Sequence, residues 1–239
     1  TWAPQLEAVA RIASSEERIA QYTRLLEHAL HDTPSASLPS LVRTYVDGAV
    51  LDPVNTTGAG LLVGRHMLAH LATQLAAAHI PANILCTIVS DTLATCEASS
   101  IMGDDELGPW RVLLAEQYAS LSRWRDAAQA LQSITPHAAR RIPQLSFAQL
   151  CVRVVELWLH DLPSHVAEAE QAIKRANSAI LDERDNKALV HELWSYHARV
   201  LAIQHRFMEA AARYMDLPHA DMYAAVYAII RHLVRSAHP

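Results

Sequence analysis

Covalent cross-linking has little to work with in this chain. Its 239 residues include 3 cysteines, Cys86, Cys96 and Cys151, scattered and never in a C-x-x-C arrangement. That excludes a disulfide scaffold and makes a reducing, intracellular compartment the plainer setting. Glycine (6) and phenylalanine (2) are nearly missing, and few segments alternate β-branched with polar residues, which excludes most all-β folds. Positive charge is short as well: 20 Lys and Arg against 25 Asp and Glu give a net charge of −5 and a pI near 6.2. A nucleic-acid module would carry a basic stripe to neutralise phosphates, so nucleic acid is not an expected partner. No secretory signal is visible, because Trp2–Ile12 holds Glu7 and Arg11 and no long apolar block. His66–Ser90 has no Asp, Glu, Lys or Arg, yet it is interrupted by Pro81 and dotted with His66, His70, Gln74, His79 and Asn83. It fails the test of about 20 predominantly apolar residues for a membrane span. Two helices meeting at Pro81 fit better.

What is abundant is alanine (41) and leucine (30), within a hydrophobic share of 51%. These residues have the best helix propensities, so the composition points to a mostly helical protein long enough to bury a core. The start at Thr1 rather than Met and the end at Pro239 suggest a fragment of a longer chain.

Punctuation divides the N-terminal part. Ser14-Ser15-Glu16-Glu17 is a capping box, in which a serine oxygen and a glutamate satisfy free backbone N–H groups. Ile19, Tyr22, Leu26 and Ala29 follow at helical spacing. His31–Pro39 reads as a loop, Leu41–Val50 as a short helix, and Asp52–Gly58 as a second break. Leu61, Gly64, Leu68, Leu71 and Leu75 then mark a narrow apolar seam. After Pro81, Leu85, Ile88, Val89 and Thr92 predict a partner helix ending near Ser99.

From about Trp110 to Tyr214 the chain repeats. Three segments carry apolar or bulky residues at offsets 0, 3, 4, 7, 8 and 11: Trp110 to Leu121, Phe147 to Trp158, and Val190 to Leu201. Each precedes a second helix with a signature at offsets 0, 3, 4 and 7. These are Trp124, Ala127, Ala128, Leu131; Val166, Ala169, Glu170, Ile173; and Phe207, Ala210, Ala211, Tyr214. The second helices recur at steps of 42 and 41 residues. Small residues at offsets 3 and 4 let a neighbouring backbone approach, and bulky residues one turn away lock the crossing. Gly108-Pro109, Pro136 and Pro143 punctuate the pairs, Pro163 falls within the second, and Leu181–Lys187 reads as a charged linker. A helix pair cannot bury its apolar faces alone, so the expected fold is an all-α, right-handed superhelix of TPR- or HEAT-like hairpins. N-terminal hairpins over 1–99 and a solenoid over 100–239 would continue one another as a single elongated domain. The tryptophans at 110, 124, 158 and 194 are expected in the core.

Chemistry-bearing motifs are weak. His66 and His70 stand at i and i+4, a legitimate metal pair, but no third ligand is near in sequence, so no metal site is assigned. His191-Glu192 fails as a zincin motif, since position 195 is Ser. Gly58-Ala-Gly60 with Gly64 lacks the preceding strand of a dinucleotide loop and reads as a connection into a helix. Asp104-Asp105-Glu106 complements a helix N-terminus. Arg140-Arg141 is the one positive doublet suited to an acidic partner. No catalytic residue, cofactor or small-molecule substrate is assigned.

The repeat signatures carry a family resemblance. Arg123-Trp124-Arg125-Asp126-Ala127-Ala128-Gln129-Ala130-Leu131, Ala169–Ala176, His197–Leu201 and Arg206-Phe207-Met208-Glu209-Ala210-Ala211-Ala212-Arg213-Tyr214 resemble the PCI-domain scaffold subunits of the COP9 signalosome and of the proteasome lid. Gln21–Glu27 and Leu62–Leu68 add to it, and the similarity runs in order from about residue 20 to about residue 230. The resemblance implies a non-catalytic scaffold whose helical-repeat arm leads, in the family, to a winged-helix PCI region that this chain is not expected to include. It implies service in a complex that removes Nedd8 from cullins, with a zinc isopeptidase centre on another subunit. Other signalosome subunits and the cullin–RING ligase are the implied partners, in cytoplasm and nucleus, without nucleic acid, membrane or cofactor. The residue-level alternatives are a generic peptide-binding repeat adaptor and a helical enzyme using His66 and His70.

Overall fold

The computed structural model describes residues 2–142, 145–181 and 186–217. Among these the protein is all-α, with no strand. In chain order its helices are α1 (Ala3–Ala10), α2 (Ser15–Asp32), α3 (Leu38–Tyr45), α4 (Pro53–Thr56), α5 (Leu61–Ala77), α6 (Ala82–Ser99) and α7 (Asp104–Ser120). They continue as α8 (Trp124–Gln132), α9 (Pro136–Ala139), α10 (Phe147–Leu159), α11 (Val166–Ile180), α12 (Lys187–Ile203) and α13 (Phe207–Met215). The break at Pro143, the middle of the charged linker and the resemblance past residue 217 lie outside the described residues.

Packing divides the chain into two compact units: Thr1–Arg123 with Ser133–Pro143, and Trp124–Gln132 with Gln144–Pro239. In the first unit α2 and α7 flank α5, and α6 packs on α3 and α7. Of the expected seam, Gly64, Leu68, Leu71 and Leu75 are buried on α5, with Met67 beside them, whereas Leu61 is half-buried; Tyr22, Leu26, Val89 and Trp110 of the same unit are buried as well. Each large apolar side chain so enclosed contributes about 1.5–3 kcal/mol relative to exposure. Glycine decides the entry to α5. A Cβ on Gly60 would sit 1.8 Å from the Val54 carbonyl oxygen, and one on Gly64 2.7 Å from that of Val50. The Gly58–Gly64 motif is therefore a close backbone approach, not a phosphate cradle.

The second unit is built from hairpins. α10 packs on α11, α12 on α13, and α12 also lies against α10 and α11, while α8 packs on α10. Caps set the starts. Ser146 Oγ accepts from Gln149 N (3.1 Å) while Gln149 Oε1 accepts from Ser146 N (2.8 Å), and Asn186 Oδ1 accepts from Leu189 N.

Four expectations are corrected. α7 starts at Asp104 and runs through Gly108-Pro109, with Pro109 inside the helix: the missing prolyl N–H and the crowding of the Asp105 carbonyl are outweighed by the burial of Leu107, Trp110, Leu113 and Leu114 on the same helix. The first repeat pair, α7 with α8, is divided between the two units, since α7 packs on α5, α6 and α9. Trp110 and Trp158 are buried, but Trp124 and Trp194 are only half-buried, with Trp124 stacked on His160 at 4.2 Å. Finally, Phe207 and Ala211 of α13 are exposed, although α8 buries the equivalent Ala128.

Candidate functional site

The signature side chains come first. Ala127, Ala128 and Leu131 on α8, Ala169 and Ile173 on α11, and Ala210 and Tyr214 on α13 are buried. Trp124 and Val166, at offset 0, are half-buried. Alanines at the inner positions of α8 and α11 leave room for α10 to lie close. The α12–α13 cluster gathers Ala198, Leu201, Ala202, Ala210, Tyr214 and Leu217, with Trp194 against it.

Between α8, α10 and α11 lies a cleft of about 210 Å³ lined by Leu131, Phe147, Leu150, Cys151, Val154 and Ala172, with Arg175 at its polar side. Arg175 Nη1 donates to Gln132 O at 2.6 Å and its guanidinium lies 5.1 Å from the Phe147 ring centre. A cation there answers the partial negative charge of the α8 C-terminus. Burial pushes the Cys151 thiol up to about 11, so it is no thiolate nucleophile near neutral pH.

Two polar clusters in the first unit escaped sequence reasoning. Arg18 is buried: its Nη1 donates to Asn55 Oδ1 (3.1 Å) and its Nη2 to Ser15 Oγ (3.2 Å). Asn55 Nδ2 in turn donates to Ala49 O (3.0 Å) and Tyr22 OH (3.2 Å), and Tyr22 OH donates to Gly48 O (3.3 Å). Burial first, with the Asp52 charge, holds the Tyr22 hydroxyl above its usual range. The second cluster surrounds Glu106, whose side chain is 6% exposed. Its Oε2 accepts from Gly103 N (2.8 Å), and its Oε1 stands 3.1 Å from Arg65 Nε and 3.2 Å from Arg141 Nη1. Arg141 also pairs with Asp105 at 2.9 Å, and Arg111 bridges Glu97 (3.0 Å) and Asp104 (3.2 Å). The acidic run thus does more than complement the start of α7: it ties α7 to α5 and to the residues after α9. Of the expected contact pair, Arg140 is exposed, whereas Arg141 is already engaged within its own unit.

His66 is exposed, His70 is half-buried, and no three His, Cys, Asp or Glu gather into a metal site among the described residues. Glu192, the would-be zincin glutamate, instead accepts from Tyr196 OH at 2.8 Å. No described helix is long and apolar enough to cross a membrane.

Hairpins packed through alanine, with charge clusters tying helices together, define an α-helical-repeat protein. Within that class the chain is similar to COP9 signalosome complex subunit 4. The subunit of Caenorhabditis elegans is 29% identical over 237 residues, 92% of this chain and 56% of the relative. That of Arabidopsis thaliana is 25% identical over 89% of this chain and 50% of the relative, and that of Drosophila melanogaster 26% over 84% and 47%. The family resemblance carried by the repeat signatures is thereby supported across most of the chain. The chain spans about half the length of these curated relatives. No protein-family model matches it.

Proposed function

We propose that this chain is the helical-repeat region of a signalosome scaffold subunit that is not itself catalytic. In this reading it supports removal of Nedd8 from cullins by holding neighbouring subunits and the cullin–RING ligase, in cytoplasm and nucleus. The observation that carries the reading is similarity to subunit 4 from three organisms over 84–92% of the chain. The architecture agrees with it physically, since a repeat protein offers extended surface rather than an enclosed reaction site. The exposed Arg140 is the charge offered to an acidic partner, and Arg141 joins it only where a partner carboxylate replaces Asp105 and Glu106. The alanine crossings on α8, α11 and α13 are the proposed packing elements, and continuity of the hairpins before residue 99 with the repeats after residue 100 belongs to the same proposal.

The test is affinity purification of the tagged full-length gene product, with identification of what co-purifies. Signalosome subunits in fixed ratio, with cullins, are expected. Proteasome-lid subunits in their place would assign the protein to the homologous lid scaffold and overturn this reading, and so would a product that purifies with neither.

A further inference from the structure

Arg18 is a charge without a counter-charge. It stands in the first turn of α2 and is 5% exposed. Its guanidinium donates to two neutral oxygens, Asn55 Oδ1 at 3.1 Å and Ser15 Oγ at 3.2 Å, while its Nε is enclosed with no partner. Among the described residues no carboxylate forms an ion pair with it. Glu16 and Glu17 share the turn but are exposed, and Asp52 accepts from Val54 N at 2.8 Å instead. The other enclosed charge of this unit is treated differently, since Glu106 has Arg65 and Arg141 beside it. Burying an ion is costly unless an opposite charge and hydrogen bonds answer it. The site adds to that cost, because the start of a helix carries partial positive charge and repels a cation placed there.

Ser15 is the group through which an anion can arrive. An enclosed guanidinium is out of reach of an anion on another molecule, whereas one carried on Ser15 Oγ begins in hydrogen-bond contact with Arg18 Nη2. Ser15 is half-buried and opens α2, directly after the exposed Ala13 and Ser14. The first N–H groups of a helix have no intrahelical acceptor, so this turn opens at small cost to admit an enzyme. Ser14 is placed otherwise: its Oγ caps the helix by accepting from Glu17 N at 3.4 Å and makes no bond to Arg18.

We propose that Ser15 is a phosphorylation site and that its phosphate is the counter-ion of Arg18. On a protein kinase the terminal phosphoryl group of a nucleoside triphosphate passes to Ser15 Oγ. The Oγ–P bond forms, the bond from that phosphorus to its bridging oxygen breaks, the diphosphate keeps the electron pair, and the hydroxyl proton goes to the kinase's base. Phosphoserine carries roughly 1.5–2 negative charges and three acceptor oxygens. A charge-assisted bond to Nη2 then replaces the hydroxyl contact, and the remaining oxygens face the free N–H groups at the start of α2. With Nη1 still on Asn55 Oδ1, the modification ties the start of α2 to α4.

Peptide mapping of the full-length gene product, purified from its own cells with phosphatases inhibited, should find phosphate on Ser15. Its absence from Ser15, or its presence on Ser14 alone, would overturn the proposal. The pairing is read on the full chain made with phosphoserine encoded at position 15 and titrated by phosphorus NMR. The second ionisation of phosphoserine ordinarily lies at about 6. In the folded protein it should fall at least about one pH unit below its value in the same protein unfolded by urea, as an adjacent cation requires. Equal midpoints in the folded and unfolded protein would overturn the proposal as well.

Discussion

Three alanine-to-leucine replacements separate the packing roles of otherwise similar positions. Each exchanges a methyl for an isobutyl group, so chemistry and helix propensity are held constant. Ala128 is fully buried on α8, which packs on α10, and it does not line the cleft. Forcing extra methylenes into such a crossing costs about 1–3 kcal/mol, a fall in Tm of roughly 2–12 °C for a chain of this size. Ala172 is buried too, but it borders the cleft of about 210 Å³, and the added group can enter open space. Cavity filling commonly stabilises by about 0.5–2 kcal/mol, so Ala172→Leu should be neutral to stabilising. Ala211 is exposed, and its replacement should stay within about 0.5 kcal/mol. Urea unfolding of the three variants beside the parent gives the comparison. Equal midpoints, or a larger loss at Ala172 than at Ala128, would refute the assignment of faces.

Removing the Asn55 amide by Asn55→Ala strips one hydrogen bond from the buried Arg18 guanidinium and leaves Tyr22 OH short of a donor, a loss of about 3 kcal/mol measurable in the same urea titration. Glu106→Gln removes a nearly enclosed carboxylate from between Arg65 and Arg141 and should cost about 2 kcal/mol, whereas Arg140→Ala should stay within about 0.5 kcal/mol. His197 responds to pH. Burial first, then Arg213 and Arg206, hold its pKa below the ordinary 6.5 against the opposing pull of Glu170 and Glu209. The unfolded chain therefore binds the proton more readily, so this contribution is present above pH 6.5 and is lost as pH falls through the folded value. Unfolding midpoints of the parent and His197→Gln, taken from pH 7.5 to 5, should converge at the acid end, and parallel curves would contradict the assignment.

Much of the architecture was legible because helical punctuation is local. α8, α11 and α13 begin at Trp124, Val166 and Phe207, the offset-zero residues of the repeat, and Pro81 stands where α5 and α6 divide. What the sequence left out or misplaced mostly concerns relations over distance. Arg18 drew no expectation, because the partner that satisfies its buried guanidinium, Asn55, stands 37 residues later. Arg141 looks available until Glu106, 35 residues earlier, is placed beside it. Ala128 and Ala211 share one signature position, but the helix facing each decides its burial, and a single sequence does not state which neighbour that is. Pro109 reads as a break because its ring disfavours the helix interior, yet α7 continues through it, since the burial of Trp110, Leu113 and Leu114 is decided by distant neighbours that the local sequence does not show.

The central claim, a scaffold role in cullin deneddylation, is tested most directly by the state of the cullins themselves. In cells depleted of the full-length gene product, immunoblotting should show the Nedd8-conjugated fraction of cullins rising, and re-expression of the parent protein should bring it back down. Cullins whose conjugation does not change on complete removal of the gene product would contradict the account.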